Sequence, residues 1–133
     1  ILFLGNMYHE PNRIALDIII STIMPEVLKK ISNSRLLLVG DAPEIIKKRV
    51  EDIKYISYYG KVLDLNQVFS ETSIAICPVT TGSGLRIKVL DYLAAGLPII
   101  TTSLGLPEVD LKNALIIEDN INSFSKHIIN ILK

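Results

Sequence analysis

A glycine-rich stretch followed by two cationic residues is the part of this sequence best suited to chemistry. Gly82 and Gly84 allow the backbone to approach a ligand closely. The helix predicted to follow them directs its free N–H groups and the positive end of its dipole at such a ligand. Arg86 and Lys88 lie in the first turn of this helix, where a cation opposes the dipole unless an anion is bound. The stretch therefore predicts an anion site, and phosphate is the natural candidate.

The same predicted helix carries a carboxylate one turn beyond the second cation. Successive helical residues turn by about 100°, so Lys88, Asp91 and Ala95 share one face. A nucleotide could bind along this face of the helix. Lys88 would contact its phosphate, and Asp91 would accept hydrogen bonds from its ribose hydroxyls. A surface ion pair between Lys88 and Asp91 explains the same spacing equally well. The opposite, sheet-facing stripe is predicted to consist of Ile87, Leu90, Leu93 and Ala94.

Strand and helix patterns alternate along the whole chain and determine how these residues would be positioned. The apolar runs predicted as strands are Ile1–Gly5, Arg35–Gly40, Tyr55–Tyr59, Ile74–Pro78, Pro98–Thr102 and Ala114–Glu118. A helical pattern runs from Arg13 to about Ser32, where Pro25 either begins a second helix or kinks the first. The remaining predicted helices are Pro43–Glu51, Leu65–Glu71 with Asp64 as its cap, Leu85–Ala95 and Ser123–Leu132.

Strands that are apolar on both faces and alternate with helices indicate an α/β fold. We predict a doubly wound, Rossmann-like parallel sheet of about six strands with helices on both faces. Right-handed crossovers bring the carboxyl ends of all strands to one edge, where ligands bind in such sheets. The loops at this edge are predicted to begin at Gly5, Gly40, Gly60, Val79, Ser103 and Glu118.

The composition of the chain argues against several classes of function. Of the 133 residues, 49% are hydrophobic, and 14 basic residues balance 14 acidic ones, so no nucleic-acid partner is indicated. No apolar run approaches the roughly 18 residues of a membrane span. The single cysteine, Cys77, is interpreted as a buried structural thiol, which fits a reducing cytoplasm. His9 is interpreted as a solvated loop residue and His127 as a surface residue.

Several common phosphate and metal motifs are missing from the sequence. The loop that begins at Gly5 lacks the three-glycine fingerprint of dinucleotide folds, and the Gly-Lys-Ser/Thr tripeptide of a Walker loop does not occur. No carboxylate or histidine cluster has the spacing of metal ligands. We therefore expect neither a cofactor nor a metal ion. Because Ile1 opens directly into a strand, we interpret residues 1–133 as one domain of a longer protein.

The longest motif resembles the donor-binding signature of GT-B fold glycosyltransferases, especially the family-4 retaining enzymes. Residues 82–102 follow its order of glycine-rich loop, helix with an acidic residue, Ala-x-Gly-x-Pro, hydrophobic pair and Thr. The run Phe3-Leu4-Gly5 is similar to the Phe-x-Gly that opens the C-terminal domain of these enzymes. Weaker matches in the same order are Leu38-Val39-Gly40, Tyr59-Gly60-Lys61-Val62 and Leu106-Pro107-Glu108-Val109.

The resemblance implies that this domain binds a nucleotide-sugar donor. Asp91 would contact the ribose, with Asp where Glu is usual. The amides of residues 82–85, the helix dipole, Arg86 and Lys88 would stabilise charge on the leaving diphosphate, and no further catalytic side chain is assigned. The donor-binding residues implied are Gly5, Asn6, Gly40, Gly60, Lys61, Val62, Gly82, Ser83, Gly84, Leu85, Arg86, Lys88 and Asp91.

Besides Asp91 in place of the usual Glu, this sequence departs from the common signature in three places. From Gly84 to Asp91 is seven steps (91 − 84), against five in the common pattern. Ser83 stands eight residues before Asp91 (91 − 83), where a glutamate is usual, so the role of that glutamate is not transferred. The loop after the first strand offers Asn6, His9 and Arg13 in place of the usual Arg and Lys. Arg86 and Lys88 are therefore expected to carry more of the charge at the diphosphate.

The resemblance also implies a partner, an activity and a location. The acceptor would be held by an N-terminal domain of the same parent chain, and residues 1–133 alone would transfer nothing. We expect the parent protein in the cytoplasm or peripherally at the inner membrane face, with membrane contact only through the other domain. Two alternatives stay open: half of a nucleotide-sugar 2-epimerase, and a non-catalytic Rossmann-like interaction module. Nucleotide binding would distinguish the interaction module from either enzyme.

Overall fold

The computed structural model describes residues 1–82, 87–106 and 115–133, and within these ranges six parallel strands form a single sheet. The strands are β1 (Leu2–Leu4), β2 (Leu36–Val39), β3 (Ile56–Gly60), β4 (Ala75–Cys77), β5 (Ile99–Thr101) and β6 (Ile116–Ile117). The helices are α1 (Glu10–Ile18), α2 (Met24–Lys30), α3 (Glu44–Glu51), α4 (Asn66–Ser70), α5 (Ile87–Ala94) and α6 (Ile121–Leu132).

The order of the strands confirms the predicted doubly wound sheet. The order is β3-β2-β1-β4-β5-β6, and every neighbouring pair is parallel. The chain therefore moves outward from β1 in one direction and then returns to β4 and moves outward in the other. In the part of the chain described, the register between β1 and β4 pairs Leu2 with Ala75 only. The sheet consequently opens between the carboxyl ends of β1 and β4, where doubly wound sheets bind ligands.

Both faces of the sheet are covered by helices, as the apolar strands predict. Alternate residues of a strand point to opposite faces, so Phe3 packs into one core and Leu2 and Leu4 into another. The first core also takes in α1, α2, α3 and α6, through residues that include Leu16, Val27, Val50 and Phe124. The second core takes in α4 and α5 through Val68 and Tyr92.

Tyr92 links α5 to the opening between β1 and β4. Its side chain is fully buried, and its hydroxyl accepts a hydrogen bond from the Leu4 N–H (2.8 Å) and donates one to the Ile76 carbonyl (3.3 Å). The hydroxyl thus provides the hydrogen-bond acceptor for a buried N–H of β1 at the point where β1 and β4 separate. Burial raises the pKa of Tyr92 well above its usual value, so the hydroxyl keeps the proton that it donates.

The predicted sheet-facing stripe of α5 is confirmed only at Leu93, which is half-buried and packs against both cores. Ile87 and Leu90 are 61% and 42% exposed and Ala94 is also exposed, whereas Val89 and Tyr92 are fully buried. The hydrogen bonds of Tyr92 to β1 and β4 help to fix this rotation of the helix. A count of apolar residues on a helical wheel missed it because the decisive contacts are polar.

The first predicted helix divides into three pieces. It begins at Glu10 rather than Arg13, and a π-helical turn at Ile19–Ile23 separates α1 from α2. Met24 donates its N–H to the Ile19 carbonyl across this turn. Pro25 follows in the first turn of α2, where its missing N–H costs little. The backbone stays helical through Ile18, Ile23 and Met24, so Pro25 follows the π-helical turn within a continuous helical segment, and the structure does not decide between the two alternatives for this proline.

The other boundaries differ from the predicted ones by a few residues. α6 begins at Ile121, two residues earlier than predicted, because the Asn120 side chain accepts a hydrogen bond from the Asn122 N–H (3.1 Å) and caps the helix. Asp64 accepts a hydrogen bond from the Asn66 N–H (3.0 Å) at the start of α4, as its predicted capping role requires. The predicted start of the last strand, position 114, lies outside the described residues.

Two expectations about single residues agree with the structure. Cys77 is fully buried, as predicted. His127 lies at the surface with about a third of its side chain exposed, and its Nε2 is 3.0 Å from Oε2 of Glu118, which joins α6 to the end of β6. This hydrogen bond lowers the pKa of the Glu118 carboxyl below its usual value.

Within the described ranges, the helices are too short or too polar to cross a lipid bilayer.

Candidate functional site

Three predicted glycines lie together at the carboxyl ends of β1, β2 and β3. The Gly5 N–H donates to the Val39 carbonyl (2.9 Å), and the Gly40 N–H donates to the Gly60 carbonyl (2.8 Å). Gly40 has a φ of 138°, and a Cβ added to it would lie 1.8 Å from the Gly5 carbonyl oxygen. The close approach of these two loops therefore requires glycine at position 40.

The loop between β1 and α1 is held by its own side chains. Asn6 Oδ1 accepts a hydrogen bond from the Tyr8 N–H (2.9 Å). Arg13 Nη1 donates to the carbonyls of Met7 (3.0 Å) and Tyr8 (2.8 Å). Arg13, which the sequence offers as a cation for a diphosphate, therefore has a clear role in shaping this loop. His9 is exposed at the start of α1, as predicted.

Lys88 extends from α5 to the carboxyl end of β1. Its Nζ donates to Asn12 Oδ1 (2.6 Å) and lies 4.6 Å from the centre of the buried Phe3 ring. Asn12 Nδ2 in turn donates to the Asn6 carbonyl (3.0 Å). The structure thus brings Lys88 together with Asn6 and Gly5 at the edge where β1 and β4 separate.

Asp91 lies beside a cavity of about 250 Å³ between α4 and α5. The residues around this cavity are Asn66, Phe69, Asp91, Ala94 and Ala95. Asp91 and Ala95 thus line one cavity, as their predicted shared face requires, whereas Lys88, the third residue of that face, contacts Asn12 and Phe3 instead. Asn66 begins α4, just after the loop that contains Lys61 and Val62. Lys61 is exposed, and Val62 is half-buried against the second core.

The glycine-rich stretch is described up to Gly82, which is exposed and has a φ of 94° that favours glycine. Val79, three residues earlier, is fully buried, and its carbonyl accepts a hydrogen bond from the Thr102 hydroxyl (2.6 Å). This bond fixes the stretch to the turn after β5. The predicted site residues Ser83, Gly84, Leu85 and Arg86 lie outside the described residues, as do Pro107, Glu108 and Val109 of the resemblance.

Three residues that position the site were missed from the sequence: Asn12, Tyr92 and Thr102. Asn12 meets Lys88 across 76 positions of sequence, and no local pattern connects residues so far apart. Tyr92 appears in the sequence as one apolar position among several in α5. Thr102 does stand inside the motif, and its place directly after a buried strand was the available signal.

Other parts of the described chain offer weaker candidates. A cavity of about 510 Å³ is lined by Ile1, Arg35, Ser57 and Tyr59 among others, and holds none of the predicted site residues. Among residues 1–82, 87–106 and 115–133, no three or more His, Cys, Asp or Glu side chains lie close enough to hold a metal ion. The expectation that no cofactor takes part stays a prediction.

The family of the chain follows from its match to known proteins. All of residues 1–133 match the family described as Glycosyl transferases group 1. The chain belongs to this family. A relative of this glycosyltransferase domain is an uncharacterized 44.6 kDa protein in the cps region of Klebsiella pneumoniae. The two are 27% identical over 145 residues, which cover 100% of this chain and 37% of the relative.

Two solved structures resemble the glycosyltransferase domain in fold. TarM has a TM-score of 0.72 at 17% identity, with coverage of 98% of this chain and 28% of TarM. Anabaena HepE, in a complex with UDP and glucose, has a TM-score of 0.58 at 13% identity, with coverage of 82% of this chain and 35% of HepE. The chain therefore spans about a third of the length of the relatives that it matches. The family match confirms the predicted glycosyltransferase domain, and the two structures agree with its predicted Rossmann-like fold.

Proposed function

We propose that residues 1–133 form the donor-binding domain of a longer, two-domain glycosyltransferase that resembles the family-4 enzymes. The donor is a nucleoside-diphosphate sugar, and its glycosyl group passes to an acceptor held by an N-terminal domain. The observation that carries this proposal is the placement of the Lys88 ammonium at the carboxyl end of β1, where the order of the sheet reverses. The complex of HepE with UDP and glucose supports the same class of ligand.

In this proposal the diphosphate lies between the β1–α1 loop and the start of α5. The dipole of α5 faces its oxygens and Lys88 supplies positive charge, and the resemblance assigns the amides of residues 82–85 and the Arg86 side chain to the same diphosphate. Transfer of the sugar leaves negative charge on the departing nucleoside diphosphate. Fixed donors and cations stabilise that charge without reorganising, and they do so more strongly where water is excluded. The domain thus acts by positioning and electrostatics, with no metal or cofactor.

The nucleoside end of the donor lies further along α5 in this proposal. Asp91 borders the cavity between α4 and α5, and its carboxylate accepts hydrogen bonds from the ribose hydroxyls. The loop Gly60–Val62 leads into α4 beside the same cavity. A donor that extends from Lys88 to this loop would contact Gly60, Lys61 and Val62 with its nucleoside. Its phosphates would contact Gly5, Asn6 and Lys88.

We expect UDP, GDP or ADP to raise the melting temperature of the chain more than the matching nucleoside does. A ligand with a Kd of about 1 mM, present at about 10 mM, stabilises the folded state by about 1.4 kcal/mol. For a chain of this length the corresponding rise in melting temperature is about 5 °C. Differential scanning fluorimetry with each nucleotide and nucleoside measures it. Equal shifts with nucleoside and diphosphate would remove the phosphate site, and no shift with any of them would favour a non-catalytic interaction module.

Replacing Asp91 with asparagine is expected to lower the affinity for the diphosphate ribonucleotide by about 1–2 kcal/mol, because an amide oxygen is a weaker acceptor for two hydroxyls than a carboxylate. The affinity for the matching 2′,3′-dideoxynucleotide is expected to stay nearly the same, since that ligand makes no such contact. Calorimetric titration of both ligands measures the difference. Asp52→Asn, at an exposed position after α3, is the matched control. An unchanged preference for ribose in the Asp91 variant would make Asp91 a surface residue.

A further inference from the structure

Asn12 connects the two sides of the proposed diphosphate site, although nothing in its own position in the sequence marks it. Its Oδ1 accepts a hydrogen bond from Lys88 Nζ (2.6 Å), and its Nδ2 donates one to the Asn6 carbonyl (3.0 Å). Its Cγ would lie 3.0 Å from a Cβ added to Gly5, so the amide also packs closely on the end of β1. We propose that Asn12 is a positioning residue, which holds the Lys88 ammonium at the place where it meets the donor diphosphate.

The chemistry of the two hydrogen bonds requires an amide at this position. One end of the side chain must accept from an ammonium and the other must donate to a carbonyl, and a primary amide offers both in one plane on a short side chain. Turning the amide over would place its NH₂ against the ammonium and its oxygen against the carbonyl. The orientation of Asn12 is therefore fixed at both ends, and so is the position of the ammonium that it holds.

An amide also leaves the charge of the lysine unchanged. A carboxylate at position 12 would accept the same hydrogen bond from Lys88, but it would neutralise the ammonium and repel both the Asn6 carbonyl and an incoming diphosphate. Phe3, below the ammonium at 4.6 Å, likewise stabilises the cation without cancelling its charge. These two neighbours of Lys88 thus orient a cation without neutralising it. The inference rests on the proposed function, because the positive charge of Lys88 is proposed to bind the donor diphosphate.

Asn12→Ala and Asn12→Asp separate this role from a purely structural one. A bond that only ties α1 to α5 would be kept in Asn12→Asp, whose carboxylate still accepts from Lys88, and lost in Asn12→Ala. The proposal gives the opposite order for ligand binding. We expect Asn12→Ala to weaken binding of UDP, GDP or ADP, whichever binds the wild type, by about fivefold. We expect Asn12→Asp to weaken it by at least about tenfold more, since it adds a negative charge beside the phosphates. Binding of the matching nucleoside should not change in either variant.

The experiment is a calorimetric titration of the chain with each diphosphate and its nucleoside, with melting curves to verify that every variant folds. Asn130→Asp, at an exposed position of α6, is the control for a new carboxylate elsewhere. The double variant Asn12→Ala/Lys88→Ala should bind the diphosphate no more weakly than Lys88→Ala alone, because Asn12 acts through Lys88. This comparison tests the positioning role of Asn12 even if Asn12→Asp does not fold.

Each outcome bears on one of the two claims. Additive losses in the double variant, or equal binding by the Asn12→Ala and Asn12→Asp variants, would overturn the positioning role of Asn12. If Lys88→Ala weakens diphosphate binding while the Asn12 variants bind like the wild type, the proposed function stands and this inference fails. If none of the diphosphates binds the wild type, the proposed function fails and the role of Asn12 fails with it.

Discussion

Replacing Lys88 with alanine is expected to weaken the binding of a nucleoside diphosphate by about 1.5–3 kcal/mol, the usual value of a hydrogen bond to a charged group. Lys88 lies at the carboxyl end of β1, where its Nζ is 2.6 Å from Asn12 Oδ1 and 4.6 Å from the centre of the Phe3 ring. Binding of the nucleoside alone should be unchanged, because the contact that is lost is to phosphate. Calorimetric titration of both ligands measures the two affinities.

The same substitution should change the stability of the unliganded chain by no more than about 1 kcal/mol. Loss of the contacts with Asn12 and Phe3 destabilises the fold slightly, and removal of a cation from the first turn of α5 offsets part of that loss. Lys88→Met, which keeps most of the apolar stem over Phe3, separates the charge from the packing. Lys126→Ala, at an exposed position of α6, is the matched control for loss of a lysine. If Lys88→Ala melts far below the wild type and still binds the diphosphate normally, the residue is structural.

Replacing Gly40 with alanine is expected to destabilise the fold by about 3 kcal/mol or more. A φ of 138° strains any other residue by about 1–3 kcal/mol, and the added Cβ would lie 1.8 Å from the Gly5 carbonyl oxygen. That contact is with backbone, so relief requires β1 and β2 to move apart at their carboxyl ends. Denaturant unfolding followed by circular dichroism measures the loss of stability.

Gly96→Ala is the matched control for Gly40→Ala. Gly96 also has a positive φ, of 70°, but a Cβ added there meets nothing within 4 Å. It should therefore cost only about 1–2 kcal/mol, the strain of the backbone conformation itself. The difference between the two variants isolates the close approach of the loops after β1 and β2. Equal losses would mean that these loops separate easily and that Gly40 has no special part in shaping the site.

The sequence alone determined the class of fold and the order of its elements. Apolar runs such as Leu36–Val39 need cover on both faces, and helical patterns between the runs supply it, so a parallel sheet follows from local information. The glycine-rich stretch before α5 and the order of the shorter motifs also pointed to a glycosyltransferase domain without any contact being known. The strands and helices are properties of neighbouring residues, and periodicity reveals them directly, whereas the glycosyltransferase assignment came from the resemblance of the motifs to that family.

Only the tertiary structure decided which side chains meet at the site and how α5 is turned. Asn12 and Lys88 are 76 positions apart, and the hydroxyl of Tyr92 serves strands that lie far from it in sequence. Those buried hydrogen bonds help to fix the rotation of α5, and the stripe predicted from hydrophobicity was wrong at Ile87 and Leu90, which are exposed. The hydrophobic effect depends on how much apolar surface a residue buries and not on which particular atoms it contacts. A hydrogen bond requires two particular atoms within about 3 Å of each other, and only the folded chain brings such pairs together.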